Sequence, residues 1–158
     1  MNYQQTAYAI AAKSNVIMLS QEIEARDLIP ANEVRVRYLS LGDSSRFLCN
    51  HWVDNVFSTV QHYRYADNDT HFLSSMRSDF DCLIVGGVDA DRMIDVLQGN
   101  MPLLRNRLLV ALLVDSTPEN RAKVIRAGYD DAMDVDQTGH AEASARVRAM
   151  WARMKGRR

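Results

Sequence analysis

This chain lacks the features that would assign a function quickly. It has only two cysteines, Cys49 and Cys82, too few and too far apart for a disulfide framework or a cysteine metal site. Both read as reduced, buried, apolar-role thiols. No charge of one sign dominates: the formal net charge is −1, which excludes a bulk electrostatic footprint for nucleic acid or an anionic membrane. No apolar run reaches transmembrane length, so no membrane association is expected. The opening "MNYQQTAYAIAAKSNVIML" has no positive start before its apolar part, which argues against a signal peptide and for a cytoplasmic protein. Gly-rich dinucleotide and P-loop patterns are missing. His51, His62, His71 and His140 have no ligand spacing. No nucleophile–base pair stands out, so no enzyme, metal or cofactor is expected.

What is present is an alternation of short apolar runs and amphipathic segments. The 158 residues are 47% hydrophobic and 25% charged, enough for one domain with a sizeable core. "EVRVRYLSL" (Glu33–Leu41) alternates and then turns apolar, as a strand does. "GDSS" starts a helix, "RFLCNHWVDNVF", with Phe47/Leu48, Trp52/Val53 and Val56/Phe57 expected on its inner face. "TVQHYRYA" reads as a polar strand near an edge. "DNDTHFLSSMRSDF" reads as a short helix capped by Asp69 or Thr70. "DCLIVGG" is a third strand. "DADRMIDVLQGN" is a helix capped by Asp89, with Met93, Val96 and Leu97 inward and Gly99-Asn100 at its end. "RLLVALLV" (Arg107–Val114) has the unbroken apolarity of a central parallel strand. Thr117, Pro118 and Gly128 mark the start and stop of the next helix. "DDAMDV" is a fifth strand; the acids of "DDAMDVD" resemble a metal cluster, but most are expected to be solvated loop residues. A last helix follows, with Val147, Met150, Trp151 and Met154 on one side.

Strands alternating with helices predict an α/β, flavodoxin-like (βα)5 doubly wound parallel sheet of order 2-1-3-4-5. The expected organisation is an N-terminal extension at 1–32, a core domain at 33–155 and a basic tail at 156–158. The extension reads either as one amphipathic helix using Ile10, Ile17, Ile23 and Leu28, or as a strand "NVIML" followed by a helix. It is apolar enough to pack on its own domain or on a second subunit. Ligands in this fold sit at the carboxyl ends of strands one and three. Those ends are Ser40-Leu41 and Gly86-Gly87.

Within 33–155 the chain resembles the receiver domain of bacterial response regulators, the input modules of two-component signalling. "RAKVIRAGYDDAMDV…ASARVRAMWARM" is similar to the family's fourth helix, its "AGADDY" turn and its fifth helix, and "SDFDCLIVG" to its third strand. The resemblance implies functional positions one by one. The acidic pair that holds magnesium falls on Ser40 and Leu41, and the phospho-accepting aspartate on Gly86. The hydroxyl residue after strand four falls on Asp115, beside Ser116. The switch aromatic falls on Ala132 and the lysine on Val135. Each position is altered, which implies an aspartate-less, pseudo-receiver type. Glycine offers no nucleophile, leucine cannot ligate a hard cation, and a carboxylate at Asp115 repels a phosphoryl group. Leu41 is expected to fill the space the carboxylate leaves.

Asp43, Asp89, Asp91 and Asp115 lie on the same rim. They read either as helix caps or as a displaced metal or phosphate site. The expected function is a non-phosphorylatable, receiver-like regulatory module acting through protein contacts. It would be the regulatory part of a larger transcription or localisation protein, with nucleic acid reached only through an effector domain outside this chain. The alternative is a small-ligand or nucleotide-binding domain that uses the vacated acceptor pocket. The resemblance also implies a homodimer through the surface of Arg121, Arg126, Asp130, Asp131, Asp134, Arg146, Arg148 and Trp151, with Met154 adding to an apolar centre.

Overall fold

The computed structural model describes residues 28–65 and 79–157. Five parallel strands form one sheet in the order β2-β1-β3-β4-β5. They are β1 (Val36–Ser40), β2 (Gln61–Arg64), β3 (Cys82–Gly87), β4 (Leu108–Leu113) and β5 (Asp131–Asp134). Four helices are described: α1 (Asp43–Asp54), α2 (Ala90–Gly99), α3 (Pro118–Ala127) and α4 (His140–Gly156). This is the expected flavodoxin-like sheet. Residues 67–78 of the helix expected over Asp67–Phe80, with its cap at Asp69 or Thr70, and most of the N-terminal extension lie outside the described residues; Asp79 and Phe80, which are described, are not helical.

The period of two along each strand divides the core. Tyr38, Ile84, Val110, Leu112 and Met133 face one way, onto Cys49, Trp52 and Val53 of α1 and Ala143, Val147 and Trp151 of α4. Leu39, Leu83, Val85, Leu109, Ala111 and Leu113 face the other way, onto Met93, Val96 and Leu97 of α2 and Val124 of α3. β3 and β4 are buried along their whole length because both faces are covered. β2 is a polar edge strand.

Three expectations about local structure change. β1 begins at Val36 rather than Glu33, because the amides of Glu33 and Val34 turn back onto the Pro30 carbonyl. Arg35 and Arg37 are then tied to Asp81 and Asp79. Second, Trp52, Val53, Val56 and Phe57 face inward as expected, but the first pair of the expected inner face does not. Ser45, Cys49, Trp52 and Val53 are buried, whereas Phe47 and Leu48 point outward at 81% and 43% exposure. Val56 and Phe57 are buried beyond the helix end. The Trp52 indole fixes this rotation by donating to the Thr138 carbonyl at 3.0 Å. Third, the N-cap of α1 is Gly42, with no side-chain cap bond, and Asp43 is the first helical residue.

The other helix ends follow the sequence. Asp89 accepts from the amides of Asp91 and Arg92, and Thr117 accepts from Asn120. Gly128 takes φ = 130°, a region that L side chains avoid, and its α-carbon faces Leu97 closely.

Candidate functional site

The carboxyl ends of β1 and β3 meet as Ser40 opposite Gly86, with the Leu41 amide donating to the Gly86 carbonyl at 2.9 Å. Strand alternation puts Tyr38 and Gly86 on the same face. Tyr38 is fully buried, and its ring lies over Gly86. A Cβ on Gly86 would fall 2.8 Å from both Tyr38 Cε2 and Tyr38 Oη. The vacated acceptor position is therefore filled by Tyr38, from one strand over. The expectation that Leu41 fills it is corrected: Leu41 faces the opposite side, in the α2–α3 core, where it backs Gly87 at 3.2 Å from a Cβ there.

The Tyr38 hydroxyl is buried with no hydrogen-bond partner among the described residues. Ser40 and the Cys49 thiol are its polar neighbours. Burial first, and then Cys49, push its pKa well above the usual phenol range. Burial likewise raises the Cys49 thiol to about 11. Both groups are neutral at physiological pH, and neither is a poised nucleophile or base.

The rim beyond β4 and β5 is closed by a carboxylate that the sequence reading placed elsewhere. Asp134, at the end of β5, is only 2% exposed. It accepts from the Ser116 amide at 2.9 Å, the Ser116 hydroxyl at 2.5 Å and the Asp136 amide at 2.9 Å. Burial opposes its charge, but the hydrogen bonds from Ser116, Asp136 and Gln137 outweigh burial and hold its pKa below the ordinary carboxylate value. Arg121, one turn into α3, donates to the Ser116 hydroxyl at 2.7 Å and to its carbonyl at 3.1 Å. The β4–α3 loop is thus strapped to the end of β5 by a chain running Arg121–Ser116–Asp134.

The remaining positions separate. Asp115 is exposed, with φ = 51°, and carries no part of this strap. Ala132 is buried in the α2–α3 core, and Val135 packs against the α1–α4 core. Asp91 pairs with Lys123 at 2.5 Å, joining α2 to α3, and Asp89 is the cap of α2. Among the described residues, no three His, Cys, Asp or Glu side chains converge as a metal site requires.

The surface expected to form a dimer is only partly one surface. Asp130, Asp131 and Arg146 line an open groove of 520 Å³ beside β5 and α4, together with Glu142, Met150 and Arg153. Arg146 already holds Asp131 in a two-pronged ion pair at 2.7 and 2.9 Å. Asp134 is buried in the strap, Trp151 is 7% exposed in the core, and Arg148 pairs with Glu33 at 2.7 Å ahead of β1. Arg121 is turned onto Ser116, and Arg126 is in the last turn of α3. Of the four acids of "DDAMDVD", Asp130 and Asp136 are exposed as expected, whereas Asp131 and Asp134 are engaged within the chain.

No family model matches the chain, and no curated protein matches its sequence. Solved structures do match. The signal receiver domain of a DNA-binding response regulator protein (merR) from Colwellia psychrerythraea 34H is similar over 73% of this chain and 97% of its own, with a TM-score of 0.50. The fold is that of a receiver domain. The identity with that receiver is 12%, so the likeness is one of architecture. A Sinorhizobium meliloti 1021 chain assigned to pilus assembly (CpaE2) is also similar, at 12% identity, over 71% of this chain and 95% of that one, with a TM-score of 0.49. No helix among the described residues is long and apolar enough to cross a membrane.

Proposed function

We propose that this receiver-fold domain is a regulatory signalling module that takes no phosphoryl group and acts through protein contacts. The observation that carries the reading is Tyr38 lying over Gly86. The acceptor position has no carboxylate, and the space for one is occupied by an aromatic ring. Phosphoryl transfer needs a nucleophile and a hard cation held by oxygens. Ser40 instead turns its hydroxyl to the Gly42 carbonyl, and Leu41 is buried apolar. The Asp134–Ser116–Arg121 strap gives the β4–α3 loop one fixed arrangement without a modification. The same filling of the pocket counts against a small ligand bound there.

Intact mass after incubation with acetyl phosphate and magnesium tests this. The expected mass is that of the unmodified chain. A stoichiometric gain of one phosphoryl group overturns the reading.

The β5–α4 groove favours a second copy of the chain as one contact. Its walls carry Asp130 and Glu142 as well as Arg146 and Arg153. Across a two-fold axis, the acids of one protomer would meet the arginines of the other, which is the self-complementarity such an interface needs. Sedimentation of wild type and Arg153→Glu at micromolar concentration tests it: a dimer weakened by the charge reversal is expected, and a monomeric wild type removes the reading.

A further inference from the structure

A cavity of 490 Å³ opens at the edge of the sheet opposite Gly86. Small organic ligands take sites of about 300–1,000 Å³. The helix after a parallel strand runs back along the sheet, so the end of α4 stands beside the strand starts. There Leu108 opens β4 and Asp130 precedes β5, and both line the cavity.

α4 supplies Met150, Arg153, Met154 and Arg157 to the lining. Spacings of three, four and seven residues put these side chains on one helix face. The two methionines are half-buried against the α1–α4 core, and the two arginines are exposed. Arg107 lines the same cavity from the start of β4. It is fixed there, donating to the Phe80 carbonyl with its guanidinium over the Phe80 ring.

The charges do not cancel. Three arginines against one aspartate leave the lining at +2. Asp130 already accepts from the Leu109 amide at 2.8 Å. Arg153 and Arg157 make no ion pair among the described residues. The helix dipole favours bases in the last turn on any face. It does not account for arginines alternating with methionines over one cavity. Lys155, in the same turn, stands outside the cavity, 5.9 Å from the Trp151 ring centre.

Guanidinium forks grip phosphate oxygens in pairs, and methionine packs on flat apolar rings. A carboxylate brings one negative charge, whereas a phosphate monoester brings about 1.5 to 2 at pH 7, close to the charge of the lining. We infer that this cavity binds a small organic phosphate, its phosphate monoester at Arg153 and Arg157 and its flat apolar body against Met150 and Met154. The inference is independent of the acceptor-pocket reading. It gives a domain without an acceptor carboxylate a chemical input at the far edge of its sheet. The cavity shares Asp130, Met150 and Arg153 with the β5–α4 groove, but Met154 and Arg157 belong to the cavity alone.

Calorimetric titration of the full chain with phenyl phosphate, AMP, adenosine and inorganic phosphate tests this. At least one of the two phosphate monoesters is expected to saturate with a dissociation constant below about 1 mM. Adenosine, which lacks the phosphate, and inorganic phosphate, which lacks the apolar body, should each bind about tenfold more weakly or worse. No saturation by either monoester overturns the inference, and so does inorganic phosphate binding equally well. Arg157→Gln should weaken the monoester about tenfold, and Arg157→Lys, which keeps the charge without the fork, should recover only part of that. Binding that neither Arg157→Gln nor Met154→Ala alters lies elsewhere and also overturns the inference. On the wild-type chain, amide shifts caused by phenyl phosphate should fall at Leu108, Leu109, Asp130 and Met150–Arg157; shifts confined to the Ser40 and Gly86 end are the contrary result. Sedimentation of both variants should match wild type, which separates this site from pairing at the groove.

Discussion

Tyr38 and Gly86 are a matched pair: the ring of one occupies the place where a side chain on the other would begin, 2.8 Å from a Cβ there. A contact below 3.0 Å forces movement, and Tyr38 is fully buried in a close-packed core. Replacing Gly86 should be costly even by alanine. Gly86→Ala and Gly86→Asp are each expected to lose about 1–3 kcal/mol, the range of overpacked core changes. Aspartate should be the worse, since its charge would be buried without a partner. Urea unfolding measures this. An unchanged midpoint for Gly86→Asp would show that the pocket is open and polar.

The Tyr38 hydroxyl makes no hydrogen bond among the described residues, although it is buried. Removing it should therefore be nearly neutral. Tyr38→Phe is expected to hold or raise the urea midpoint, because an unsatisfied buried hydroxyl costs about 1–3 kcal/mol. A loss above about 1 kcal/mol would mean that the hydroxyl has a partner of real strength. Combined with Gly86→Ala, the smaller Tyr38→Leu should recover part of the lost stability, and a double-mutant cycle reads the coupling.

Asp134 gives a pH signature. Its folded pKa lies below the ordinary carboxylate value, so the unfolded chain takes up its proton first as pH falls. The stabilisation from the Ser116 bonds is complete above the unfolded value of about 4, and is lost as pH drops from there through the folded pKa. Asp134→Asn should cost about 1–3 kcal/mol at pH 7. The difference from wild type should shrink at pH 3. A constant difference across that range would remove the charge from the explanation.

Arg148 and Glu33 pair within one chain, and both are partly exposed. Arg148→Glu is expected to lower stability by only about 0.2–1 kcal/mol, and the added Glu33→Arg should restore it. Sedimentation should be unaffected by either. A change in association state with Arg148→Glu would place this residue at an interface after all.

The sheet order was legible because strands buried on both faces leave unbroken apolar runs, as in "LIVGG" and "RLLVALLV". Caps at Asp89 and Thr117 and the stop at Gly128 were legible for the same local reason: each is a side chain or a φ angle acting within one turn. The inner face of α1 was legible only in part: Trp52, Val53, Val56 and Phe57 are buried as expected, but Phe47 and Leu48 are not. Its run Phe47-Leu48-Cys49 followed by Trp52-Val53 allows more than one inward face at a 3.6-residue period. The choice is made by Trp52 reaching Thr138, far along the chain.

The same division holds at the site. That Gly86 cannot accept a phosphoryl group follows from the residue alone, since no fold can give glycine a nucleophile. Which neighbour fills the space, Tyr38 rather than Leu41, depends on strand pairing, because a one-residue step along β1 reverses the side of the sheet a side chain faces. Asp134 reads as one more acid in an acidic stretch until β4 and β5 lie side by side and bring Ser116 to it. Hydrogen bonds of that kind join residues distant in sequence, and no local pattern encodes them.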